Sequence, residues 1–250
     1  MAFTPEREKV AFVFPGQGSQ YVGMGKALYE ASQGARRIFQ QADEVLGFSL
    51  SRLCFEGPEE ELQDTINAQP AILTVSVACL AALRERWEAM GRAVNPVVMA
   101  GHSLGEFTAL VAAGSLDFSD ALRLVRERGR LMKEHSVTRP GGMAAILGLN
   151  QEDLDEICDE ARKEGVLVLA NSNSPDQRVI SGERAALERA VELARAREAK
   201  AVILPISIAS HSPLMQRAAV LFAEVLASIQ MHDPEVPIVA NITGQILTTA

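Results

Sequence analysis

Apolar positions in this 250-residue chain gather into short runs bounded by Pro and Gly, and into stripes at helical spacing. Val10-Ala11-Phe12-Val13-Phe14, stopped by Pro15-Gly16, reads as a buried first strand. The turn-rich loop Gly16-Gln17-Gly18-Ser19-Gln20 follows, and a helix is expected from around Met24. Gly57-Pro58 marks a break, and Pro70 sits near the start of an Ala- and Leu-rich helix running through Trp87. Val97 to Ala100 predicts a second strand, with a helix-forming run from Glu106 to Ala113 close behind it. Asp117 to His135 reads as a helix with Asp117 and Ser119 as candidate caps, and Pro140-Gly141-Gly142 ends that region.

The pattern then changes. Met143 to Leu149 is strand-like, Gln151 to Glu164 helical, Val166 to Ala170 and Arg178 to Ser181 strand-like, Glu183 to Arg197 helical, and Ala201 to Ile206 strand-like. This β-α-β-β-α-β order predicts a ferredoxin-like subdomain over 138–206. A helix over Pro213–Ile229 and a strand over Ile238–Asn241 then return to the larger α/β domain, expected to comprise 1–137 and 207–250. No internal repeat or low-complexity tract is present.

Composition narrows the functional classes. Hydrophobic residues make up 48% of the chain, enough for a substantial core, and the net charge of −8 argues against a general nucleic-acid binder. A local cationic site for an anionic ligand remains compatible with that charge. Cys54, Cys79 and Cys158 are odd in number and widely spaced, so they form neither a metal pattern nor a disulfide framework. Met1 to Lys9 is charged and lacks a secretory apolar region, and no apolar run approaches a membrane span. A soluble, cytoplasmic protein without a membrane or nucleic-acid partner is expected.

The chemistry concentrates at Gly101-His102-Ser103-Leu104-Gly105. G-x-S-x-G occurs by chance in Gly-containing loops. Between a strand and a helix it describes a nucleophile elbow, with Ser103 exposed at a strand's carboxyl end and close to the positive end of the next helix. Serine needs a base. Of His102, His135, His211 and His232, position favours His211, in the strand-to-helix junction Ile208-Ala209-Ser210-His211-Ser212-Pro213. A loop histidine beside the helix cap Ser212 is the plainer account of the same residue. On the helix Asp117–His135, Ala121, Leu124, Val125, Leu131 and Met132 form an apolar stripe, and Arg123, Arg126, Glu127, Arg130, Lys133 and Glu134 lie opposite. Arg128 falls inside the stripe. A buried guanidinium requires a partner: either an internal carboxylate or the carboxylate of a substrate. Arg123, Arg126 and Arg130 read as a solvated face before they read as a docking surface. In the Gly16–Gln20 loop, Gln17 offers an amide for positioning an acyl group, with a plain turn as the equal alternative.

Phe14-Pro15-Gly16-Gln17-Gly18-Ser19-Gln20, Gln69-Pro70-Ala71, Gly101-His102-Ser103-Leu104-Gly105-Glu106, Arg128, Gly141-Gly142-Met143-Ala144, Asn171-Ser172-Asn173-Ser174-Pro175 and Ser210-His211 occur in an order that resembles the malonyl-CoA:acyl carrier protein transacylases of fatty acid and polyketide synthesis. The resemblance covers nearly the whole chain. It implies an α/β fold: an α/β-hydrolase-like large domain with an inserted ferredoxin-like small subdomain. It implies Ser103 as the acylated nucleophile and His211 as its base, in a Ser–His dyad. It implies Gln17 and the Leu104 backbone N–H as the oxyanion hole, and Arg128 as the grip on the malonyl carboxylate. The substrate implied is malonyl-CoA and the partner an acyl carrier protein, in a monomer with neither metal nor bound cofactor. The family continues several tens of residues past the position of Ala250, including a Gln-containing loop that orients the histidine, so a truncated C-terminal end and a less firmly held His211 are expected. Leu104 resembles malonyl-selective members, whereas Ile208-Ala209-Ser210-His211 is closer to a pattern of branched-malonyl polyketide acyltransferases. An acyl hydrolase and a non-catalytic docking module are the rival functions.

Overall fold

The computed structural model describes residues 9–93 and 95–250. The first part of the chain forms β1 (Ala11–Phe14), α1 (Lys26–Ala31), α2 (Gln33–Leu46), α3 (Leu50–Glu56), α4 (Glu59–Gln63) and α5 (Thr65–Ala89). Next come β2 (Val98–Gly101), α6 (Gly105–Ala112) and α7 (Phe118–Thr138). β3 (Gly141–Leu147), α8 (Gln151–Ala161), β4 (Leu167–Ser174), β5 (Gln177–Glu183), α9 (Arg184–Ala196) and β6 (Lys200–Ile203) follow. α10 (Gln216–Leu226), β7 (Ile238–Val239) and β8 (Ile246–Leu247) close the order. Two compact units result: the chain up to Gly129 together with Val225–Ala250, and Arg130–Glu224.

In the first unit the sheet order is β1-β2-β7-β8. β1 and β2 pair in parallel from Ala11↔Val98 to Phe14↔Gly101, and β7 joins β2 in parallel at Met99↔Ile238. Parallel neighbours need a long crossover, which α1 to α5 supply between β1 and β2. The carboxyl ends of β1, β2 and β7 therefore share one edge of the sheet, the edge where open α/β folds gather their ligand-binding loops. Phe14, Met99 and Ile238 pack with Leu80 of α5 and with Ala109 and Ala112 of α6. β8, absent from the sequence expectation, is a two-residue strand paired antiparallel to β7.

α5 is the central helix of this unit. The Asp64 side chain caps it by accepting from the Ile66 N–H at 3.1 Å, and every residue from Ala68 to Thr74 is buried. Over that enclosed stretch the helix carries no charged residue on any face. That corrects one sequence expectation: Thr65–Ala89 is long and apolar enough to cross a membrane by length and composition. It is instead largely interior, with 61% of its most apolar window buried.

In the second unit the sheet order is β4-β5-β3-β6, all pairs antiparallel. With α8 and α9 this is the ferredoxin-like arrangement. The expected range 138–206 lies inside this unit, which also takes in the last turns of α7 and residues 207–224. β3 is buried along almost its whole length because both faces are covered. Ala144 and Ile146 face Leu154, Ile157, Leu187 and Val191 of the helices, while Met143 and Ala145 meet Val179 on the other side. β6 ends at Ile203, short of the expected Ile206, where Pro205 removes a ladder donor. The helix expected from Pro213 begins as a 3-10 turn, Pro213–Met215, and α10 ends at Leu226.

Candidate active site

The first unit places a strand, a tight turn and a helix around Ser103. β2 ends at Gly101, α6 starts at Gly105, and Ser103 between them has φ 50, left-handed for a residue that carries a Cβ. The flanking glycines permit the turn. A Cβ on Gly101 would overlap the Gly105 carbonyl, and one on Gly105 would run into the Phe14 carbonyl oxygen of β1. The His102 N–H donates to that same Phe14 carbonyl at 3.0 Å, tying the turn to the neighbouring strand. The Glu106 N–H donates to the Ser103 carbonyl at 3.1 Å, which joins the serine to the first turn of the helix. Ser103 is half-buried and Leu104, next in the chain, is wholly buried. Leu104 is the N-cap of α6, at the positive end of the helix, and the N–H groups of Gly105 and Phe107 donate to the His102 and Leu104 carbonyls at 2.9 and 3.1 Å.

Arg128 reaches this turn from α7. Ala121, Leu124, Val125, Leu131 and Met132 are all buried, as the apolar stripe predicts. Arg128 donates through Nη2 to Ser103 Oγ at 3.3 Å and through Nη1 to Gln69 Oε1 at 2.7 Å. Both acceptors are neutral, and among the described residues no carboxylate forms an ion pair with Arg128. Burial pulls the guanidinium down to about 10, opposed by the nearby Glu106 carboxylate, so it stays charged at neutral pH. Its plane also lies over the Phe107 ring, 5.9 Å from the centroid.

Gln69 extends the network. Its Nε2 donates to Thr65 Oγ1 at 3.0 Å, and the Thr65 hydroxyl donates to Gln17 Oε1 at 3.0 Å. Gln69 is fully buried and Thr65 nearly so. A continuous chain of side chains thus runs from Gln17 through Thr65 and Gln69 to Arg128 and Ser103. Gly129 makes it possible: a Cβ there would stand 2.6 Å from the Thr65 carbonyl oxygen, so only glycine lets α7 approach the start of α5 this closely. A glycine inside a helical pattern was the available signal for that approach.

Gln17 lies in a braced loop, with Ser19 Oγ donating to the Gly16 carbonyl at 2.9 Å and the Gly18 N–H to Gln20 Oε1 at 2.8 Å. From the far side of the turn, Asn241, just past β7, accepts from the Ser103 N–H at 2.7 Å and donates to the Gly101 carbonyl at 2.6 Å. Thr65, Gln69 and Asn241 received no chemical role from the sequence. Each works through a contact distant along the chain, which local patterning does not report.

His211 belongs to the second unit. It is exposed, and like Ser103 it has a left-handed backbone, φ 59. Ser212 caps the 3-10 turn after it, its Oγ accepting from the Leu214 N–H at 3.3 Å, so the histidine is not required as a cap. The arginines expected to form a solvated face are engaged separately. Arg123 pairs with Asp120 at 3.0 Å, Arg130 with Glu134, and Arg126 stacks over Phe48 at 4.4 Å with one buried nitrogen lacking a hydrogen-bond partner. Arg126 therefore departs from the expectation of a solvated side chain. Among the described residues no group of His, Cys, Asp and Glu could hold a metal ion. Cys54 and Cys158 are buried, which pushes their thiols up to about 12 and about 11 and keeps them protonated.

A serine on a strand-to-helix turn, within hydrogen-bond reach of a charged guanidinium, is an arrangement suited to acyl transfer from a substrate that carries an anion. Comparison with known proteins agrees in kind. The model of the acyl transferase domain family matches residues 11–249. The chain is 49% identical over 242 residues to the malonyl CoA-acyl carrier protein transacylase of Bacillus subtilis (strain 168), covering 96% of this chain and 74% of that protein. The malonyl CoA-acyl carrier protein transacylase of Coxiella burnetii superposes with a TM-score of 0.87 at 45% identity, over 94% of this chain and 73% of that one. A malonyl-transacylase solved in complex with its type II PKS acyl-carrier protein superposes with a TM-score of 0.90 at 43% identity, over 97% of this chain and 77% of that one.

Proposed function

The chain belongs to the acyl transferase domain family, and we propose that it moves a malonyl group from malonyl-CoA to the phosphopantetheine thiol of an acyl carrier protein. Ser103 carries the acyl group between the two halves of the reaction. The carrier protein serves fatty acid or polyketide synthesis, and the enzyme acts as a cytoplasmic monomer without a bound cofactor.

In the first half, His211 takes the proton from Ser103 Oγ as the oxygen attacks the thioester carbon. The carbonyl electron pair moves onto its oxygen, which the Leu104 N–H and an amide of Gln17 stabilise. Collapse breaks the carbon–sulfur bond, and CoA leaves with the proton from the imidazolium. In the second half the carrier thiol passes its proton to His211 and its sulfur attacks the malonyl ester. Ser103 then departs and recovers the proton. Arg128 pairs with the distal malonyl carboxylate, and a neutral acyl chain leaves its charge unmatched.

The observation that carries this reading is the Arg128 guanidinium, held 3.3 Å from Ser103 Oγ with only neutral oxygen acceptors. Glu106 acts on Arg128 from nearby, but both hydrogen-bond acceptors of the guanidinium are neutral, which supports a substrate carboxylate as its direct partner. Intact-mass measurement after mixing with malonyl-CoA tests the proposal. A malonyl adduct is expected on the wild type, none on Ser103→Ala, and adduct formation on His211→Ala slower by about 10²–10⁴-fold. A wild type that stays unmodified overturns the reading. Hydrolysis of malonyl-CoA that outruns transfer to the carrier favours the acyl hydrolase.

A further inference from the structure

Ser103 holds its left-handed backbone, φ 50, two residues before α6 begins. Such a conformation is strained in a non-glycine residue and persists only where the surroundings over-determine it. The glycines on either side remove clashes but exert no hold. The His102 N–H bond to the Phe14 carbonyl holds the turn against β1, and Asn241 holds the serine itself.

The Asn241 carboxamide spans the turn. Its Oδ1 accepts from the Ser103 N–H at 2.7 Å, and its Nδ2 donates to the carbonyl of Gly101, the last residue of β2, at 2.6 Å. The two bonds fix the entry and the apex of the elbow with one planar group. Asn241 is itself anchored, its backbone N–H donating to Glu106 Oε1 at 3.2 Å. Glu106 stands in the first turn of α6, so the brace closes a ring through strand end, serine, helix start and the turn after β7. The strand β7 that delivers Asn241 pairs directly with β2, which fixes its distance from the turn. Burial raises the Glu106 carboxyl above its usual range, while the Asn241 N–H and the Arg128 charge pull it back toward ionisation.

We propose that Asn241 is a positioning residue for the nucleophile: its carboxamide sets the direction of Ser103 Oγ, with Glu106 as its anchor. The proposal rests on the reading of Ser103 as the nucleophile. It also confines the donors of the oxyanion hole, because the Ser103 N–H is committed to Asn241 and is not available to a developing oxyanion.

A fluorophosphonate probe, which phosphonylates an activated serine whatever its natural acyl group, separates this from malonyl recognition. Asn241→Ala removes both bonds. Asn241→Asp keeps the size and the acceptor for Ser103, but turns a second oxygen toward the Gly101 carbonyl. Both variants are expected to be labelled at Ser103 about 10- to 100-fold more slowly than wild type, since small misplacements of a reacting atom carry losses of that order. In malonyl loading the same loss is expected in the acylation rate, with KM for malonyl-CoA held within about threefold because Arg128 is untouched. Rates are referred to the folded fraction, measured by near-UV circular dichroism, so that partial unfolding does not imitate the effect. Asn241→Asp labelled within twofold of wild type overturns the brace and leaves the Ser103 reading intact. A wild type that the probe does not label overturns both.

Discussion

The two compact units differ in where they keep their polar groups. In the second, charged side chains pair in the open: Arg184 with Glu188 at 3.0 Å, and Arg197 with Asp153 and Glu156 at 3.3 and 2.8 Å. Its interior is mainly Ile, Leu, Val and Ala, with Ile146, Leu154, Ile157 and Leu167 fully enclosed and small hydroxyls such as Ser181 and Ser212 as its buried polar groups. In the first unit, Gln69, Thr65 and Gln20 are buried, and the half-buried Arg128 is bonded into them. Exposed ion pairs contribute little to stability. Buried polar networks are costly unless fully satisfied, and they specify one arrangement when they are. The second unit is organised for packing, whereas the first gives up part of its packing to fix a guanidinium beside a serine.

Substitutions in each unit sharpen that contrast. Ile146→Ala, in the apolar core of the ferredoxin-like unit, is expected to cost about 2–5 kcal/mol of stability. Acylation by the remaining folded protein should stay close to wild type; denaturant unfolding and single-turnover loading measure the two separately. Gln69→Glu is expected to behave in the opposite way. It keeps the size of the side chain and supplies Arg128 with an internal carboxylate, so stability should change little. KM for malonyl-CoA should rise about tenfold as the new carboxylate competes with the substrate's. An unchanged KM would mean that Gln69 merely fills space.

The smallest effect concerns Glu106. Burial raises its carboxyl in the folded protein, so the folded state holds this proton more tightly than the unfolded chain. Its contribution to stability therefore falls as pH rises from the usual carboxylate range through the raised value. Glu106→Gln should flatten that part of the stability profile. A profile identical to wild type would show that Glu106 does not titrate there.

Legibility from sequence followed the same division. The β-α-β-β-α-β order of the second unit was readable because each element declares itself locally, as in the buried run Met143 to Ile146 and the Ala186, Leu187, Ala190, Val191, Ala194 face of α9. The elbow was readable for the same reason, since Gly101, Ser103 and Gly105 lie within five positions. Arg128 stood out as a charge in an apolar stripe, but periodicity left its partner open. What could not be read were the partners across the fold: Gln69, 59 positions from Arg128, and Asn241, 138 from Ser103. Nothing near Asn241 marks it, because its role arises only when β7 pairs with β2. β6 and α10 are shorter by a few residues than the local pattern suggests, because Pro205 and the 3-10 turn at Pro213 redirect the chain.

The central claim is that Arg128 selects the acyl group that Ser103 receives. Its most direct test is the ratio of malonyl to acetyl loading on Ser103, read by intact mass for wild type and Arg128→Ala under the same conditions. The wild type should load malonyl strongly over acetyl, and Arg128→Ala should lose about 10- to 100-fold of that ratio, mostly by losing malonyl. An unchanged ratio in Arg128→Ala would contradict the account.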